Sequence, residues 1–144
     1  MGKRSIRVIL DTNWYVSASI NRRSRRTLYD LLTNQRLCLL GTQKLVDEYS
    51  TVIFRKKFQQ IIRANQVRRF LNLVMPRLEQ VELRSTFFAS QDPKDNYLLA
   101  LAHDGKADYL VTGDPDLLVL VQFGETRIVR MAEFQAILSD DRLQ

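Results

Sequence analysis

The sequence predicts an α/β fold in which a parallel sheet is covered on both faces by helices. Three observations carry this. Short apolar runs stand at residues 6–10, 37–40 and 109–112, each too short for a buried helix and each closed by an acidic or glycine punctuation. Segments of helical periodicity lie between these runs, and strands alternating with helices imply parallel strands joined by right-handed crossovers. With three prolines and five glycines in 144 residues there is no room for a linker or a low-complexity stretch, so residues 1–144 read as a single domain.

Taken in order, Ile6-Arg7-Val8-Ile9-Leu10 is the first strand, closed by Asp11-Thr12-Asn13. The arginine-rich segment from Asn21 to Arg26 reads as a turn in which Ser24 caps a helix, because Leu28, Leu31 and Leu32 recur at helical spacing. Leu37-Cys38-Leu39-Leu40 is the second strand, ending at Gly41, with Cys38 packed in the core among leucines. Thr42 opens a helix to about residue 54, and residues 55–75 continue as one or two basic amphipathic helices that Pro76 stops. Gln80-Val81-Glu82-Leu83 reads as a short strand. Asp92-Pro93 opens a helix rich in Leu and Ala through His103, residues 109–112 form a strand, and Asp114-Pro115 opens a helix containing Leu117, Leu118 and Leu120. Residues 127–129 give the last strand and residues 132–138 the last helix.

Composition removes several function classes. No apolar run approaches the roughly 20 residues of a membrane helix, and the first one ends at Asp11, too short for a secretory leader of roughly 7 to 15 apolar residues, so a cytoplasmic protein with no membrane partner is expected. One cysteine and one histidine, Cys38 and His103, allow neither an internal disulfide nor the usual zinc site. The net charge of +6 is unevenly spread: residues 1–78 hold 16 basic and 4 acidic side chains, residues 79–144 hold 6 basic and 12 acidic. A cationic half joined to a carboxylate-rich half suits an anionic substrate and a cation-filled site.

The position of the acids matters more than their number. Ligands of open parallel sheets bind beyond the carboxyl ends of the strands, and Asp11 and Asp114 each follow a strand at that edge. Asp92 and Asp114 before proline also read as helix caps, and Asp95 and Asp116 fit an acidic first turn. Glu48 falls inside the apolar stripe of Leu45, Tyr49, Val52 and Ile53, where an ionised carboxylate needs a partner, expected to be a cation at the rim of the core. Asp95 repeats the pattern, three and four residues before Leu98 and Leu99. Four carboxylates, Asp11, Glu48, Asp95 and Asp114, converging at one sheet end repel each other unless a hard divalent cation neutralises them. All-oxygen ligands select Mg²⁺ or Mn²⁺, and metal-assisted phosphodiester hydrolysis follows from that chemistry.

Asp11-Thr12-Asn13 after a buried strand, Glu48 in the helix after the second strand, the run from Gln91 to Ala102 and the run from Ala107 to Leu118 together resemble the PIN-domain nucleases. The resemblance spans nearly the whole chain, and is to the compact bacterial and archaeal branch that holds toxin components of toxin–antitoxin systems. It implies a three-layer α/β/α sandwich with a parallel sheet of about five strands, a Mg²⁺ or Mn²⁺ site, and cleavage of single-stranded RNA to a 5′-phosphate and a 3′-hydroxyl. Carried over by position, Asp11, Glu48, Asp95 and Asp114 are the metal-binding, catalytic acids, Asp116 is a further ligand, and Asn13 and Thr112 support the site. Asp11, Asp95 and Asp114 would hold one ion, with Glu48 orienting a water or a second ion. Trp14-Tyr15 stand where aliphatic residues are common, and Pro115 replaces a more usual polar residue.

Arg22, Arg23, Arg25 and Arg26 are placed to line the path of an RNA backbone. His103 and Cys38 are left out of the chemistry. The resemblance further implies an antitoxin partner and a homodimer, the latter through apolar and basic residues between Val52 and Leu73. Two other readings remain open: a housekeeping RNA-processing nuclease, and a non-catalytic RNA-binding module that retains the fold. A haloacid-type phosphatase is disfavoured because Asn13 stands where its second acid belongs, and no Walker-type glycine loop is present.

Overall fold

A computed structural model of the chain describes residues 4–140. The elements run β1 (Ile6–Leu10), α1 (Thr12–Ile20), α2 (Arg22–Leu32), β2 (Leu37–Gly41), α3 (Gln43–Ile53), α4 (Lys56–Gln59), α5 (Ala64–Val74), a 3₁₀ turn at Met75–Arg77, β3 (Glu79–Gln80), a 3₁₀ turn at Pro93–Asp95, α6 (Asn96–Asp104), β4 (Tyr109–Val111), α7 (Pro115–Leu118), β5 (Gln122–Phe123), β6 (Thr126–Val129) and α8 (Met131–Leu138). The sheet has the order β3-β2-β1-β4-β6-β5. Every neighbouring pair is parallel except β5 with β6, so the expected parallel sheet of about five strands is present and carries one short antiparallel strand at its edge.

Strand β1 is central, and its register sets Val8 beside both Leu39 and Tyr109. The chain builds outward from β1 through β2 and β3, then returns to its other side with β4 and β6. That reversal of direction opens a crevice beyond the carboxyl ends of β1 and β4. Val8, Ile9, Leu10, Leu40, Leu110 and Val111 are almost wholly buried in the sheet, and Leu98, Leu99 and Leu101 of α6 are equally enclosed. A helix hydrophobic on most of its surface must be packed on several sides, which fixes where its first residues point.

Several elements differ from the sequence reading for identifiable reasons. Residues 12–20, to which the sequence assigns no element beyond the strand's close at Asp11-Thr12-Asn13, form α1. Thr, Trp, Tyr, Val and Ser are poor helix formers, and the segment has almost no amphipathic periodicity because it is buried between α2 and α3. Helix α2 starts at Arg22, two residues before Ser24, because the Asn21 side chain accepts from the backbone N–H groups of Arg23 and Ser24 and caps it. Strand β3 covers Glu79–Gln80 and not residues 80–83, and α7 closes after Leu118. Cys38 is half-buried, not in the core: its Sγ lies 3.6 Å from Glu79 Oε1, next to the ion pair of Arg7 with Glu79.

The fold rests on the enclosure of these strands. Leu110→Ala, at a position with no exposure, is expected to cost about 2–5 kcal/mol in urea unfolding, whereas Val119→Ala, exposed just after α7, is expected to change stability by less than about 0.5 kcal/mol.

Candidate active site

The crevice at the ends of β1 and β4 is built by hydrogen bonds that fix each carboxylate. Asp11 follows β1 directly and is buried, at 6% exposure. Its Oδ1 accepts from the backbone N–H of Asn13 at 3.1 Å, capping α1, and its Oδ2 accepts from the Thr112 hydroxyl at 2.6 Å. The Thr112 oxygen in turn accepts from the backbone N–H of Asp114 at 3.0 Å, so one hydroxyl joins the ends of two neighbouring strands. Asp114 Oδ1 accepts from the N–H of Asp116 at 2.9 Å and caps α7.

The approach to α6 repeats the device. Asp92 Oδ1 accepts from the N–H of Lys94 at 3.0 Å, and the Asp92 N–H donates to the Ser90 hydroxyl at 3.3 Å. Ser90 is buried, and its own N–H donates to Asn96 Oδ1 at 3.0 Å. The result is that ligand oxygens of Asp92, Asp95, Asp114 and Asp116 all lie within 4.8 Å of one another. Asp95 is the most enclosed of the four, at 9% exposure, and its Oδ2 is buried without a hydrogen-bond partner among the described residues.

Electrostatics follow from the packing. Burial, together with the nearby carboxylates of Asp114, Asp11 and Asp92, pushes Asp95 up to about 8. Burial also raises Asp11, against the lowering effect of its bonds from Thr112 and Asn13. An orphaned carboxylate oxygen among like charges, with an all-oxygen donor set, fits a hard divalent cation such as Mg²⁺ or Mn²⁺.

Of the acids singled out from sequence, Asp95, Asp114 and Asp116 stand in this group. Asp11 lies beside it, close enough to act on the Asp95 and Asp114 carboxyls but tied to Thr112. Glu48, half-buried on α3, is further round: its Oε2 accepts from the Thr12 hydroxyl at 3.2 Å. Thr12 and Tyr97 bring hydroxyl groups to the rim of the core beside Glu48. Asn13 is exposed and lines, with Asp11, Trp14, Ser24, Gly113 and Asp114, a cleft of about 520 Å³.

The four arginines divide. Arg22, Arg23 and Arg26 are exposed and line a second hollow of about 510 Å³ on α2. Arg25 turns the other way, its Nε donating to Ala18 O at 2.9 Å and its guanidinium reaching Ser19 O at 3.4 Å, which satisfies the last carbonyls of α1. His103 is exposed near the end of α6 opposite Asp95, edge-on to Phe87. The sequence reading took Asp92 as a cap only. The signal for more was its spacing, three residues before Asp95 across Pro93. Thr12 and Tyr97 carried no separable signal, because their meeting depends on how α1, α3 and α6 pack.

Residues 7–116 match the family model described as PIN domain. The chain is 25% identical over 122 residues to the uncharacterized protein MJ1680 of Methanocaldococcus jannaschii, covering 83% of this chain and 78% of that protein. In fold it is similar to VapBC2 from Rickettsia felis, solved bound to a DNA fragment from their promoter, with a TM-score of 0.55 and 17% identity over 85% of this chain and 97% of that one. FitAcB from Neisseria gonorrhoeae is similar with a TM-score of 0.52 and 17% identity over 85% and 96% of the two chains.

The Asp95 carboxyl sets a pH dependence in metal-free protein. Its folded value of about 8 stands above the ordinary 3.8, so the folded state holds the proton more tightly; this contribution to stability is complete below about pH 4 and is lost as the pH rises through 8. Asp95→Asn is expected to melt higher than the native chain at pH 8 without metal and to show a flatter decline in melting temperature from pH 5 to 8. Mn²⁺ is expected to raise the melting temperature of the native chain more than that of the variant, and thermal denaturation across pH and metal concentration checks both.

Proposed function

The chain belongs to the PIN domain family, and from that premise we propose that it is a divalent-metal-dependent endoribonuclease that hydrolyses phosphodiester bonds of single-stranded RNA. The observation that carries the reading is the buried, unpartnered Oδ2 of Asp95 inside a group of four aspartates at the carboxyl edge of a parallel sheet. A protein that only bound RNA through this crevice would present carboxylates to a phosphate and repel it.

Asp92, Asp95, Asp114 and Asp116 would hold the ion, with Asp11 beside them and Glu48 across Thr12. A Mg²⁺ or Mn²⁺ ion held there would supply charge to offset the carboxylates, acidify a water and stabilise the developing charge on the phosphate. The chain's own part is preorganisation. Asn13 N–H and the Thr112 hydroxyl hold both oxygens of Asp11, and the Asp116 N–H holds one oxygen of Asp114. Little reorientation of these groups is then needed when substrate arrives. Arg22, Arg23 and Arg26 supply an exposed cationic path one helix away for the RNA backbone, while Arg25 is committed to α1.

We place the enzyme as the toxin of a toxin–antitoxin pair, acting in the cytoplasm. The implied branch of the family and the fold likeness to VapBC2 and FitAcB support this. Among the described residues no helix is long and apolar enough to cross a membrane. The partners are then single-stranded RNA, an antitoxin protein and a second copy of the chain. Phe54, Ile61 and Leu73, exposed apolar residues between the ends of α3 and α5, support a homodimer contact there.

Labelled single-stranded RNA is expected to be cut in Mg²⁺ or Mn²⁺ and left intact in chelator. Asp114→Asn is expected to lower kcat at least about 100-fold, the upper end of what outer-shell groups cost a metal site, and Thr112→Val about 10-fold or more. Cleavage that ignores chelator and survives Asp114→Asn removes the reading. Arg22→Ala and Arg26→Ala are expected to weaken RNA binding and to shallow its salt dependence by about one ion each, whereas Arg25→Ala is expected to lower the melting temperature; filter binding across salt separates the two.

A further inference from the structure

Glu48 stands apart from the four aspartates, and what holds it is a relay of hydroxyls. Thr12 Oγ1 donates to Glu48 Oε2 at 3.2 Å and lies 2.5 Å from the Tyr97 hydroxyl oxygen. A threonine hydroxyl carries one proton. With that proton committed to Glu48, Thr12 has only lone pairs left for Tyr97, so the phenol is the donor to Thr12, and Tyr97 also stands close enough to Glu48 for the two side chains to act on each other directly. Both hydroxyl residues are enclosed, Thr12 at 3% and Tyr97 at 9% exposure. Water therefore does not readily stand in for either. Tyr15, also buried, has no hydrogen-bond partner for its hydroxyl among the described residues and contributes packing.

From this geometry we infer that Tyr97 is a positioning residue: acting through Thr12, it fixes one oxygen of Glu48 so that the carboxylate presents the other in a single orientation. The three residues sit on α6, α1 and α3, and α6 and α1 are the helices that follow Asp95 and Asp11. The relay thus ties the orientation of Glu48 to the elements that place two other acids. Its catalytic consequence rests on the nuclease reading of the site; the relay itself does not.

Two double-mutant cycles test it. On single-stranded RNA in Mn²⁺, Tyr97→Phe is expected to lower kcat about 10-fold with KM unchanged, and Thr12→Val to do the same while Thr12→Ser keeps the native rate. Tyr15→Phe, the same loss of a buried phenol oxygen outside the relay, is expected to leave kcat as it is. In a Glu48→Gln background the further loss from Tyr97→Phe is expected to vanish, and an equal loss in both backgrounds overturns the positioning role. The second cycle reads melting temperature in metal-free protein, where Tyr97→Phe and Glu48→Gln are expected to be non-additive. Additive shifts there overturn the relay whether or not the native chain cuts RNA. Absence of any cleavage by the native chain overturns instead the nuclease reading and, with it, the catalytic role assigned to Tyr97.

Discussion

Mutual repulsion of carboxylates around one enclosed member, Asp95, is the constraint on which the crevice depends. Four ligand oxygens within 4.8 Å, one of them on a buried and unpartnered Asp95, form an arrangement that folding alone does not favour. The chain offsets it in two ways. Protonation of Asp95 removes one negative charge, and burial first, with the neighbouring carboxylates added to it, holds that carboxyl far above its ordinary value. A bound cation would remove the same repulsion with opposite consequences for pH, because the proton and the ion compete for one set of oxygens.

Capping and chemistry are not alternative roles for these acids. Asp11, Asp92 and Asp114 each accept a backbone N–H two residues ahead, and each therefore has one oxygen fixed by the start of a helix or helical turn. The cap sets the rotamer; in Asp11 the second oxygen goes to Thr112, and Asp92 and Asp114 also stand in the acid group. The positive ends of these turns also temper the charge of the acids they receive, although α7 at four residues contributes less than a full helix would. Asp95 makes no such capping bond, and it is the residue whose carboxyl is displaced most.

How much of this was legible in the sequence depended on whether the signal was local. The buried strands and the leucine-rich α6 announce themselves by runs and periodicity, and Asp-Pro pairs mark two helix starts. Helix α1 does not, because a short helix enclosed on several sides has neither amphipathic spacing nor strong formers, and its stability comes from packing against α2 and α3. The edge strand β5 escapes for a related reason: two residues, entered through Val121 at a positive φ of 64°, carry no alternation to read. At the site, the strand-end position of Asp11 and Asp114 was readable from the parallel topology. The entry of Asp92 into the acid group, the departure of Arg25 to α1 and the hydroxyl partner of Glu48 were not, since each is settled by which side chain packing brings within hydrogen-bond reach.

The division among the arginines bears on how one short segment serves two ends. Arg22, Arg23, Arg25 and Arg26 follow one another within a turn and a half of helix, so they cannot all face one way. Arg25 is drawn to the carbonyls at the end of α1, whose final turn has no basic residue of its own, and thereby fixes α2 against the helix that begins at Asp11. The other three are left in solvent on the remaining arc. A change at Arg25 would therefore remove a tie between α2 and α1 as well as one positive charge.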